Sequence, residues 1–252
     1  MTTNCKNCHK SFIGKYCNYC GQQASVDELT FKDILLESWY SITNTDSGVV
    51  RLIKDLFIRP QSVYLNYFAG QRKKYFSPVT FFFLTVGLLL FLGIQVFDYE
   101  DFKFATQNEF GRYALLETKF KSLFLLPFEI LLTWLLFHKQ YNLAKNIVFW
   151  LFLNGFLFTI KILLTPIYFL FISSKSFIDI SIQILQYLIL FFHLILIFGK
   201  SKWINFILLF VLANIIFISD DLLTGYLLFE QAIFKQTNTE DIWGLILKAY
   251  QR

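Results

Sequence analysis

From Pro78 onward, apolar runs alternate with polar breaks, and several of the runs approach the length of membrane spans. A helix needs about 20 apolar residues to cross the hydrocarbon core of a bilayer. Residues 78–97 form an uncharged run of that length. Residues 122–137 are a shorter run holding Glu129, and 147–172 a longer one holding Lys161 and Pro166. Residues 177–198 carry Asp179 near one end, and 203–219 are halted by Asp220 and Asp221. The pattern predicts an all-α integral membrane protein, with about five transmembrane helices bundled over 77–220. A short segment follows over 221–252, whose apolar patch at 242–247 suits an interfacial helix.

Ahead of the spans, residues 25–76 are helical in period but too polar to cross. Thr30 and Asp33 resemble a capping pair. Phe31, Ile34, Leu35, Trp39 and Ile42 then recur on one helical face. The polar break at 43–48 separates them from a second helix with Val49, Ile53, Leu56 and Phe57. Pro60 opens a third, with Val63, Tyr64, Tyr67 and Phe68, stopped at Gly70. Arg72, Lys73, Lys74 and Tyr75 follow, cations beside an aromatic, as in the anchor belt of a membrane interface. These amphipathic helices either lie on the membrane surface or pack together as a small bundle.

Residues 1–24 have a different chemistry. Cys5 and Cys8, then Cys17 and Cys20, make two C-x2-C units. A C-x2-C turn puts two thiolates on one side of a tetrahedral ion, so the set predicts a small zinc ribbon with a closed, structural site. Gly21 lets the backbone turn tightly after the second pair. Residues 12–16 read as a small hairpin, with Phe12 and Tyr16 covering the site. His9 is the alternative ligand, though four thiolates already saturate such a centre.

The first 80 residues carry an ordered set of motifs: the two cysteine pairs, Gly14-Lys15-Tyr16-Cys17, Cys20-Gly21-Gln22, Leu29-Thr30, Asp46 with Gly48, and Arg59-Pro60. The set closes on the run from Tyr67 to Tyr75 and on Ser77-Pro78. In these the chain resembles the domain-of-unknown-function 3667 family of bacterial membrane proteins. Gln71 and Ala69 depart from the pattern, where a lysine and an acidic residue are expected. The resemblance implies a cytoplasmic zinc ribbon on a multi-span inner-membrane body, and it implies no activity.

Composition sharpens the same picture. Apolar residues make up 56% of the chain and charged ones 16%, with a mean hydropathy of +0.51 and 32 phenylalanines, more apolar surface than a water-soluble globule can hide. No secretory signal precedes the cysteines, which favours a reduced compartment. Together with a weak excess of Lys and Arg on that side, this predicts a cytoplasmic N-terminus and, after five spans, an outside C-terminus.

Charges inside the spans mark where function is sought. Glu129 and Lys161 lie on neighbouring antiparallel spans and are predicted at similar depth as an intramembrane polar pair, with Asn154, Asn214 and His193 near them. The structural alternative is a helix–helix staple. No G-x-S-x-G, H-E-x-x-H or phosphate-cradling glycine loop occurs, so an enzyme is not expected and no catalytic residue is assigned. Lys6, Lys10 and Lys15 make too thin a footprint for nucleic acid. The leading expectation is an adaptor or assembly factor that recruits a protein partner through its ribbon. A small transporter or channel using Glu129 and Lys161 is the alternative.

Overall fold

The computed structural model describes residues 2–24, 29–34, 48–92, 125–170, 175–199, 205, 207–216 and 218. Two short strands, β1 (Thr3–Asn4) and β2 (Ser11–Phe12), pair antiparallel near the N-terminus. All longer described elements are helices: α1 (Gly48–Ile58), α2 (Pro60–Phe68), α3 (Pro78–Phe91), α4 (Leu125–Phe137), α5 (Leu143–Leu170), α6 (Lys175–Phe198) and α7 (Ile207–Ile216).

Local chemistry sets several of these boundaries. Thr30 and Asp33 form a reciprocal cap: the Thr30 N–H and hydroxyl donate to Asp33 Oδ2, and the Asp33 N–H donates to Thr30 Oγ1. Pro60 and Pro78 occupy first-turn positions, where a missing N–H costs nothing. Gly70, at φ +99°, closes α2, and the Gly70 and Gln71 N–H groups cap the carbonyls of Tyr67 and Asn66. Asn142 starts α5 by accepting the Lys145 N–H on Oδ1, while its Nδ2 donates to the Leu29 carbonyl.

Among the described residues, two segments are long and apolar enough to cross a membrane, Leu143–Leu164 in α5 and Ser181–Phe198 in α6. The helices α4 and α7 are apolar but shorter. Of the five expected spans, 93–97, 122–124, 171–172 and part of 203–219 fall outside the described residues, as do Leu35, Trp39 and Ile42 and the segment 221–252.

Among the described residues, α3 packs extensively on α5. Gly155 makes it possible: a Cβ there would lie 2.7 Å from two ring carbons of the fully buried Phe81. Threonines within the helices return their hydroxyls to the preceding turn, Thr85 to Phe81, Thr133 to Glu129 and Thr159 to Gly155, and so leave no unmet donor in an apolar setting.

The helices α1 and α2 do more than either expected arrangement of the linking segment. They join the same core as the long helices, with Leu52, Leu56, Val63, Tyr64 and Tyr67 all fully buried. Aromatic side chains make the joint. Phe57 meets Phe156 edge-on at 4.6 Å, Tyr64 tilts against Phe149 at 5.0 Å, and Tyr67 meets Phe152 at 5.3 Å. Tyr64 Oη also lies 2.8 Å from His193 Nδ1, tying α2 to α6. A helix presenting Val63, Tyr64 and Tyr67 buries more apolar area against such a wall than against its own neighbours, which is why the segment docks on the bundle.

Candidate metal centre

The four cysteines come together. Their sulphur atoms all lie within 4.8 Å of one another, with Cys5 and Cys20 3.5 Å apart and Cys8 and Cys17 3.6 Å apart, and none is in a disulfide. A tetrahedral ion held by sulphurs at 2.3 Å requires sulphur–sulphur edges of about 3.8 Å. The spacing therefore fits a metal ion bound by four thiolates.

The two halves of the site are the same loop used twice, twelve positions apart. The Cys5 N–H donates to the Lys10 carbonyl and the Cys17 N–H to that of Gln22; His9 donates to Cys5 and Gly21 to Cys17. Asn4 pairs with Ser11 in the first loop, and Tyr16 bridges Gln23 in the second. Each loop needs a left-handed residue after its second cysteine, and these are Gly21 at φ +70° and His9 at φ +62°. His9 is thus a turn residue and stands outside the thiol cluster. A left-handed conformation costs a side-chain-bearing residue about 1–2 kcal/mol. His9→Gly is expected to keep the full metal stoichiometry, as measured by elemental analysis. Loss of metal in that variant would make His9 a ligand after all.

The hairpins differ from the expected one. They close around the knuckles, at 3–12 and 16–23, and 12–16 is the connection between them. Phe12 is buried against Cys5 and Cys17 as expected, whereas Tyr16 is 58% exposed and does not cover the site.

The thiols also act on one another electrostatically. Burial opposes ionisation of Cys17, but the N–H groups of Tyr19 and Cys20 outweigh it and bring the thiol down to about 7. The Lys10 N–H favours a thiolate at Cys8, yet burial and the sulphurs of Cys17, Cys20 and Cys5 push it up to about 12. Thiolates crowded this closely repel one another, and a cation bound among them would relieve that repulsion.

A hydrogen bond joins the ribbon to the 72–75 turn. Gln22, buried, accepts the Lys73 N–H on its Oε1 at 3.2 Å. Nearby, the buried Arg72 guanidinium pairs with Asp33 at 3.5 Å. Burial works against the Asp33 charge, but bonds from Thr30 and the nearby Arg72 outweigh it and hold its carboxyl below the usual range.

This changes the reading of the basic run. Of Arg72, Lys73, Lys74 and Tyr75, only Lys73 is well exposed. Lys74 is half-buried with Nζ 5.2 Å over the Tyr75 ring, and Tyr75 turns inward to donate to Asp55 Oδ2. Asp55 is the residue that the sequence pattern concealed. It is 3% exposed, and its other oxygen accepts from Arg59 Nε at 3.1 Å. A lone carboxylate four residues before an arginine, between buried Leu52 and Leu56, was the available signal.

In the bundle, Glu129 is buried and accepts a hydrogen bond from Asn154 Nδ2 at 2.9 Å. One turn away, Trp150 Nε1 donates to Thr133 Oγ1, so α4 and α5 run antiparallel with Glu129 level with Asn154. Lys161 lies two turns beyond Asn154 on α5, about 10 Å along the axis. Asn214 bonds elsewhere, to the Tyr187 hydroxyl, and His193 to Tyr64.

Neither a curated protein nor a solved structure matches the chain. Over residues 46–90 it matches the model of the family described as protein of unknown function (DUF3667), so the resemblance carried by Gly48, Arg59-Pro60 and the run from Tyr67 to Tyr75 is shown for that segment.

Proposed function

We propose that this is a multi-span bacterial inner-membrane protein with about five transmembrane helices and a cytoplasmic N-terminus. Its ribbon binds zinc and recruits a protein partner, as an adaptor or assembly factor does. Zinc suits four thiolates because it has no geometric preference beyond the tetrahedron they offer, and a site with all four positions filled is structural.

The observation that carries the adaptor reading is the ribbon's surface. A module that buries Cys5, Phe12 and Cys17 leaves Ile13 at 69%, Tyr16 at 58% and Tyr19 at 63% exposure. Exposed aromatic and branched side chains on a metal-stapled module are the material of binding hot spots.

The test is a gentle-detergent pull-down from native membranes with three baits: wild type, Cys17→Ser/Cys20→Ser, and Ile13→Ser/Tyr19→Ser. A partner retained by wild type alone is expected, with the metal lost only from the cysteine variant. Equal capture by the surface variant would overturn the reading. The second reading, a small transporter or channel, draws on the buried Glu129–Asn154 pair. It predicts a flux that Glu129→Gln and Lys161→Gln abolish at normal protein levels.

A further inference from the structure

An open cleft of about 490 Å³ lies beside the joint of α1, α2 and the 72–75 turn, lined by Val50, Arg51, Lys54, Asp55, Arg59 and Lys74. Four cations face it against one carboxylate, and both oxygens of that carboxylate are already engaged, by Arg59 Nε and the Tyr75 hydroxyl. Among the described residues, Arg51 and Lys54 have no acidic partner within ion-pair distance, and Arg59 meets Asp55 through Nε. Arg51 and Lys54 stand three residues apart on α1, an arrangement of like charges that weakens a helix unless something answers it. From the geometry we infer that the cleft binds the phosphate group of an anionic ligand.

Asp55 supplies the organisation. From its buried position it holds Arg59 by Nε, leaving the guanidinium's outer edge for a ligand, and through Tyr75 it fixes the turn that carries Lys74. Cations from three segments are thereby brought to one opening before any ligand arrives, which lowers the ordering cost of binding. Guanidinium groups grip phosphate oxygens in pairs, and lysines add point charges. Lys74 also lies four residues before Pro78, where the uncharged α3 begins. On the membrane placement proposed above, that puts the cleft at headgroup depth, so an anionic phospholipid and a soluble phosphate are the two sources of this chemistry.

The experiment uses the full-length protein in mild detergent. Binding of dioctanoyl-phosphatidylglycerol, dioctanoyl-phosphatidylcholine and inorganic pyrophosphate is followed by calorimetry. Arg51→Gln/Lys54→Gln/Lys74→Gln is compared with Lys10→Gln/Lys15→Gln/Lys32→Gln, which removes equal charge from exposed positions elsewhere. The cleft variant is expected to bind phosphatidylglycerol or pyrophosphate about tenfold more weakly or worse, and the control variant to bind as wild type. Preference for phosphatidylglycerol identifies a lipid site; preference for pyrophosphate identifies a soluble ligand. Equal loss in both variants would reduce the effect to net charge and overturn the inference, as would phosphatidylcholine binding as tightly as phosphatidylglycerol with no effect of pyrophosphate.

Discussion

Cys17→Ser/Cys20→Ser is expected to release the metal and unfold residues 2–24 while the helical core stays intact. The buried apolar content of the ribbon is Cys5, Phe12 and Cys17. One buried phenylalanine contributes about 2–3 kcal/mol, whereas a structural thiolate-bound zinc contributes about 10–16 kcal/mol to folding. On the proposed zinc site, the metal therefore decides whether this module folds. The second cluster, running from Leu29 to Ile216, contains none of these residues and should not respond. Hydrogen exchange checks both halves together. Amides of the two knuckles should lose protection in the variant or after chelation, and those of 143–160 should keep theirs. Acid should act in the same direction, because protons compete with the metal for the thiolates. Protected knuckles without metal would refute the argument.

Gly155→Leu should be the most damaging single substitution in the bundle. Even a Cβ at this position meets the Phe81 ring at 2.7 Å, and Phe81 is fully buried, so the ring must shift within the core. Gly155→Ala is expected to cost about 1–3 kcal/mol, the usual range for overpacking. A leucine adds three more carbons to the same clash and should separate α3 from α5. Thermal unfolding in detergent measures both. The double variant Gly155→Ala/Phe81→Leu should recover part of the loss, since the two side chains compete for one space and cannot act independently. Additive losses would show that the contact between α3 and α5 is looser than 2.7 Å implies.

Much of the metal centre could be read directly from spacing. Cys5, Cys8, Cys17 and Cys20 announce themselves because a C-x2-C turn has few uses other than presenting two thiolates together. The role of His9 could not be read that way. Only the twelve-residue repeat of backbone hydrogen bonds sets it opposite Gly21 and makes it a turn residue. The ends of α2 and the start of α3 were equally plain, since Pro60, Gly70 and Pro78 act through their own backbone constraints. Arg72 and Tyr75 have partners that composition does not show. A cation and an aromatic before an apolar run have the composition of an interface anchor, and only the tertiary structure pairs Arg72 with Asp33 and Tyr75 with the buried Asp55.

By itself, then, the sequence determined what local chemistry can impose: the four thiolates, the Thr30–Asp33 cap, the proline and glycine stops, and the apolar lengths of α5 and α6. These depend on residues within a few positions of one another, or on a simple run of hydrophobic side chains. The tertiary structure alone decided that α1 and α2 wedge against α5 and α6, that Glu129 stands level with Asn154, and that Arg51, Lys54, Arg59 and Lys74 face one cleft. Tyr64 and His193 are 129 positions apart and share one hydrogen bond. Contacts of that kind arise when aromatic faces from distant segments find the packing that buries most area, and no short-range pattern encodes which of 32 phenylalanines will meet which.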